Sequence, residues 1–103
     1  MEVLGPKGPF KHTGPGMLDW ARNQLMVAEQ IMDNPGGGLL FATTAVGQVR
    51  AALAESERDE WRPVIELLEQ VEDQMVRRRF DSARAGIQRV LEGLAAGGER
   101  QPA

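Results

Sequence analysis

In the second half of the chain, apolar residues recur three and four positions apart in two unbroken series. These are Trp61, Val64, Leu68, Val71, Met75 and then Phe80, Ala83, Ile87, Val90, Leu94. An α-helix turns once in 3.6 residues, so each series falls on one face of a helix. Arg77, Arg78 and Arg79 lie between the two series, followed by Asp81 and Ser82. Aspartate and serine favour helix N-caps because their side-chain oxygens accept bonds from the unpaired amides of the first turn. The pattern predicts two antiparallel helices joined by a tight, basic turn.

The first half carries two more stripes of the same period. Over 17–33 the stripe is Leu18, Ala21, Leu25, Ala28 and Met32, and Trp20, Val27 and Ile31 widen its apolar face to about half the circumference. A helix on a globular surface needs an arc of only about 100°, so this edge is a candidate contact with a second molecule. Asn34-Pro35 and the triplet Gly36-Gly37-Gly38 then end the helix, since proline disfavours helical geometry in the residue before it. The next stripe is Leu39, Ala42, Val46, Val49 and Leu53. No charged residue lies between Asn34 and Val49, from which a well-covered, central helix is expected. The segment LLFATTAV is rich in strand-favouring residues and leaves an extended start as the alternative to helix. Ser56 or Asp59 is expected to cap the following helix, with Pro63 in its first turn, where a missing amide proton costs little. Four matching stripes with short links predict an all-α fold: a small up-down bundle of about four helices spanning 17–96.

The two ends differ in character. Residues 1–16 interleave Pro6, Pro9 and Pro15 with Gly5, Gly8, Gly14 and Gly16, which reads as a flexible arm, because glycine is costly to order and proline lacks a donor. Phe10 could dock from this arm into a groove; a solvated arm is the expected state. After Leu94 the glycines are expected to close the last helix and leave 97–103 as a disordered tail.

Bulk properties narrow the function classes. A chain of 103 residues with formal charge −3 is one domain with a modest core, and its acidic balance disfavours sequence-independent binding to nucleic acid or anionic membranes. There is no cysteine, which excludes disulfides, thiolate metal sites and a cysteine nucleophile. No stretch approaches the ~18 consecutive apolar residues of a membrane span. No membrane association is expected, and the cytoplasm is the expected compartment.

Candidate chemistry is sparse. Arg77, Arg78, Arg79, Arg84 and Arg89 gather positive charge near the predicted turn, and arginine forks bind phosphate or carboxylate. Structure competes with that reading, because cations at a helix C-terminus complement its dipole and Asp73–Arg77 is an i,i+4 pair. Glu66, Glu69 and Asp73 share a face that reads as solvated. A di-iron bundle requires inward Glu-x-x-His pairs, whereas the single histidine, His12, lies in the arm. The glycine triplet lacks the Lys-Ser/Thr pair of a phosphate loop. Gly86 and Gly93 each cost about 1 kcal/mol against alanine in a helix interior, which a close approach would account for, while fraying toward the C-terminus accounts for Gly93 equally well. No catalytic residues, cofactor or metal are assigned.

The stretch RRRFDSARAGIQRVLEGL resembles the turn and second helix of a tetratricopeptide repeat, with Phe80, Asp81 and Ala83 matching the aromatic-Asp opening and the alanine that follows. The resemblance implies a helical hairpin here. Val71 and Gln74 depart from the small and aromatic residues of that motif's first helix, and no repeat recurs at its period, so the chain is not placed in that family. The function expected is a non-enzymatic helical interaction or adaptor module that self-associates as a homodimer, with Trp20, Val27 and Ile31 at the contact. The alternative is a nucleic-acid or phosphate-ligand binder using the arginine cluster.

Overall fold

The computed structural model describes residues 14–100 of the chain, with side chains described for 16–97. Four helices follow one another: α1 Gly14–Ile31, α2 Gly38–Glu55, α3 Arg62–Val76 and α4 Phe80–Arg100, with a 3₁₀ turn, Asp59–Trp61, leading into α3. The protein is an all-α bundle, and LLFATTAV is helical. Each helix packs on two others, α1 on α2 and α4, α3 on α2 and α4. The contact between first and last helix closes the ring.

The four stripes converge on one core. Ala21, Leu25, Ala28 and Met32 meet Ala42, Val46, Val49 and Leu53 with no exposed surface, and Leu68, Met75, Ala83, Ile87 and Val90 are buried as completely. Burying a large aliphatic side chain contributes about 1.5–3 kcal/mol, which is what fixes the rotational setting of each helix. Leu39 and Phe80, the first members of their stripes, are only partly covered.

Backbone turns account for the helix ends, and they depart from the expected side-chain caps. Ser56 does not cap the third helix. Its hydroxyl donates to the Leu53 carbonyl at 2.6 Å, finishing α2. Asp59 makes no cap bond either; it sits in the 3₁₀ turn, and Pro63 occupies the start of α3 as expected. In the basic turn Arg79 N–H donates to the Gln74 carbonyl at 2.8 Å and Arg78 N–H to Met75 at 3.0 Å. This is the Schellman arrangement, in which a left-handed residue closes a helix, and here that residue is Arg78, at φ 62°. The first bond of α4 runs from Ala83 N–H to the Arg79 carbonyl. Asp81 and Ser82 therefore lie inside the first turn instead of at the N-cap.

Glycine sets the closest approaches. Gly36 and Gly37 have φ of 83° and 104°, and a Cβ on Gly38 would collide with the Ile31 carbonyl oxygen. The triplet is a turn, as expected for a loop. On α4, a Cβ at Gly86 would lie 2.6 Å from Val71 Cγ2, one at Gly93 2.9 Å from Val64 Cγ2, and one at Gly97 2.5 Å from the Trp61 ring. All three contacts fall on α3 or the turn leading into it, so α3 and α4 touch backbone to side chain along their length. The Trp61 contact explains why α4 passes position 96, where closure was expected, and runs to Arg100. At the other end α1 begins at Gly14, inside the predicted arm. Residues 1–13, including Phe10 and His12, and residues 101–103 lie outside the described residues.

Candidate protein interface

Of the five arginines expected to act together, the fold brings Arg78, Arg79 and Arg84 to one depression and leaves Arg77 and Arg89 outside it. Arg77 pairs with Asp73 at 3.0 Å, the i,i+4 bridge foreseen on α3. Arg84 crosses from α4 to the end of α1, donating to the Glu29 carbonyl and to Asp33, each at 2.9 Å. That guanidinium caps a terminal carbonyl of α1 and holds the Asp33 carboxyl below its usual pKa, chiefly through the hydrogen bond. Gln88 extends the same clasp to Glu29 Oε2 at 2.8 Å. Arg89 lies on another face, beside Leu67 and Gln70 of α3. Arg78 and Arg79 remain exposed at the turn, next to a wide depression lined also by Arg84, Asp33 and Asp81. Two carboxylates facing three arginines leave a weak field for an anion.

Elsewhere charge is used between helices. Arg50 of α2 donates to Glu72 of α3 at 2.6 and 3.4 Å, and this bond raises the Arg50 pKa above its ordinary value. The described residues contain no cluster of three or more carboxylate or imidazole groups that could hold a metal ion.

The apolar surface is more informative. Phe41 is 70% exposed, Leu40 73% and Val27 49%. Val27, Ile31 and Phe41 line a groove between α1 and α2 with Gln24, Thr44 and Gln48. Gln24 Nε2 donates to Gln48 Oε1 at 3.3 Å across it. Of the three residues expected at a contact, Val27 faces solvent, whereas Trp20 and Ile31 are partly buried against the core. The exposed edge is therefore centred on Phe41 and Leu40, with Val27 beside them.

This revises the expectation of a covered, central α2. The face of α2 turned from the core carries Leu40, Phe41, Thr44, Gln48 and Ala51, all exposed, and its first charged side chain, Arg50, is engaged with Glu72. The uncharged stretch from Gly38 to Val49 is therefore divided between the core and a solvent-facing side instead of being covered all round. The signal was legible in Leu40 and Phe41, which fall outside the Leu39–Leu53 stripe and opposite its buried members.

No helix among the described residues is long and apolar enough to cross a membrane. No family model, no curated protein and no solved structure matches this chain.

Proposed function

We propose that the protein is a non-enzymatic helical interaction module that self-associates through the outer face of the α1–α2 hairpin. The observation that carries this reading is the α2 face that bears no charge from Leu40 to Ala51 and holds Leu40 and Phe41 in water. Large apolar side chains grouped on a surface mark contacts with another molecule, and aromatic anchors dominate the energy of such contacts. A second copy fits because a two-fold contact opposes each patch to itself, so any unpaired charge on it would meet its own sign. This face has none at its centre, while the chain as a whole carries −3. It is the surface on which two acidic copies approach with least repulsion.

The footprint sets the strength. Eighteen residues of α2 span about 27 Å, and two adjacent helices present about 20 Å of width. Roughly 500 Å² per copy, or about 1,000 Å² in all, reaches the lower bound for a specific pair and implies micromolar affinity. Sedimentation equilibrium on the intact chain and on a Val27→Glu, Phe41→Glu variant tests the reading. The expected result is a concentration-dependent dimer that the variant converts to a helical monomer. An intact chain that stays monomeric at high micromolar concentration overturns it.

A further inference from the structure

The exposed face of α2 is asymmetric along its length. Its N-terminal half presents the two largest exposed side chains, Leu40 and Phe41, whereas its C-terminal half presents Ala51 and Ala54. Between them lie the polar Thr44 and Gln48. At the small end, Gln48, Ala51, Ala52 and Glu55 line a shallow depression of about 170 Å³. Large and small positions are ten residues apart, about 15 Å along the helix.

Two copies of such a surface can meet in two ways. With the α2 helices parallel, large opposes large and holds the small ends apart. With them antiparallel, each bulky end meets the other copy's small end, and both ends close together. Centring the two-fold axis between Thr44 and Gln48 sets Phe41 at the level of the partner's Ala51. It also opposes Thr44 to Gln48, a donor-acceptor match at the centre. Gln24, bonded to Gln48, lies at the same level on α1, so both helices of the hairpin are bisected together.

We infer that two copies of this chain dock antiparallel through α2, the Phe41 ring of each seated in the Gln48–Ala51–Ala52–Glu55 depression of the other. The inference rests on the self-association proposed above and adds its register and orientation. Glu55, the charged residue at the edge of the seat, stays at the solvated rim. The contact has the form of interdigitated helix packing, in which a side chain of one helix fills the space between residues of its neighbour.

A size swap tests this geometry directly. Phe41→Ala leaves small opposite small, and Ala51→Phe sets large against large, although the second adds apolar surface. Each single change is expected to weaken the dimer at least about tenfold, the effect of losing one well-seated anchor. The double variant Phe41→Ala, Ala51→Phe again opposes large to small at both ends and is expected to restore affinity to within about threefold of the intact chain. Both changes are at exposed positions, and circular dichroism checks that the helices persist in all three variants. Because the chain has no cysteine, Glu55→Cys gives one spin label per copy. Antiparallel docking sets the two labels at least about 27 Å apart along the helix axis, against about 10 Å in parallel docking. A monomeric intact chain overturns self-association itself. An intact dimer whose affinity is unmoved by either single change, unrestored in the double variant, or with labels close together overturns this register while the self-association stands.

Discussion

Two residues hold backbone conformations that their side chains oppose. Glu57 and Arg78 have φ of 59° and 62°, in the left-handed region where a Cβ crowds the following carbonyl at a cost of about 1–2 kcal/mol. Arg78 sits at the position of the Schellman turn that glycine fills most often, and its exposed side chain makes no ion pair among the described residues. Arg78→Gly is therefore expected to stabilise the protein by about 1 kcal/mol, net of the greater entropy of the unfolded glycine. In a chain of this size that corresponds to a rise of about 4–8 °C in Tm by thermal unfolding. A lowered Tm would show that the arginine side chain stabilises the turn by a contact outside the turn's backbone bonds. The left-handed turn could not be read from RRRF, since none of those residues is glycine or asparagine. That is also why Asp81 and Ser82 looked like caps.

Asp33 gives the residue scale a pH signature. Its carboxyl is held below the ordinary value of 3.8, first by the Arg84 hydrogen bond. A depressed folded pKa means that the unfolded state binds the proton more readily. The stability this adds is fully present above the unfolded pKa and disappears as pH falls through the folded one. Asp33→Asn should lower Tm near neutral pH, and its gap from the parent should close as pH falls below 3.8 and through the depressed value, where both side chains become uncharged. A gap of constant size across that range would assign the effect to shape instead of charge.

At the scale of elements, the sequence stated the rotational setting of all four helices, because burial imposes a 3.6-residue period that nothing else in the chain overrides. Leu68 and Ile87, at the middle of the α3 and α4 stripes, are fully buried. Replacing either by alanine should cost about 2–5 kcal/mol by denaturant titration, the sum of lost transfer energy and the cavity left behind. The α3–α4 glycines predict the reverse of helix propensity. Alanine at Gly86 gains about 1 kcal/mol of propensity, yet its Cβ would lie 2.6 Å from Val71 Cγ2. Overpacking of that kind costs about 1–3 kcal/mol, so Gly86→Ala should be neutral to destabilising. Combining it with Val71→Ala should recover the propensity gain if the clash is the cause. The role of Gly97 was not legible, because Trp61 lies 36 positions away and only the folded hairpin brings them together. Trp61 also carries a buried indole N–H with no hydrogen-bond partner among the described residues, a polar cost accepted for the ring's contact area.

At the scale of the whole molecule, the sequence pointed to an apolar edge on the first helix, whereas the most exposed large apolar side chains of the hairpin are on α2. The wide apolar face of the first helix directed attention to Trp20, whereas the bundle turns Trp20 partly inward and leaves Phe41 and Leu40 in water. The missing information was the angle between α1 and α2, which decides whether neighbouring stripes cover each other's edges. Charge tells the same story. Of five arginines taken together, Arg77 and Arg84 are engaged with Asp73 and Asp33, and Arg89 is on another face. This separation makes salt a discriminating variable. A dimer built on the uncharged α2 face releases few counterions and brings together two copies of charge −3. Its affinity should stay constant or tighten slightly between about 50 and 500 mM salt, as screening weakens the mutual repulsion. Nucleic-acid binding through Arg78 and Arg79 would behave oppositely. Neutralising two phosphates gives a log–log slope of about −1.4 to −1.8, roughly a 25- to 60-fold loss over the same range. Fluorescence anisotropy with a labelled single strand, run beside sedimentation equilibrium at each salt concentration, separates the two. Self-association that weakens steeply with salt would place ion pairs at the interface and exclude the α2 face as its centre. Strand binding that falls with that slope, and is lost in Arg78→Gln, Arg79→Gln, would move the function to the basic turn.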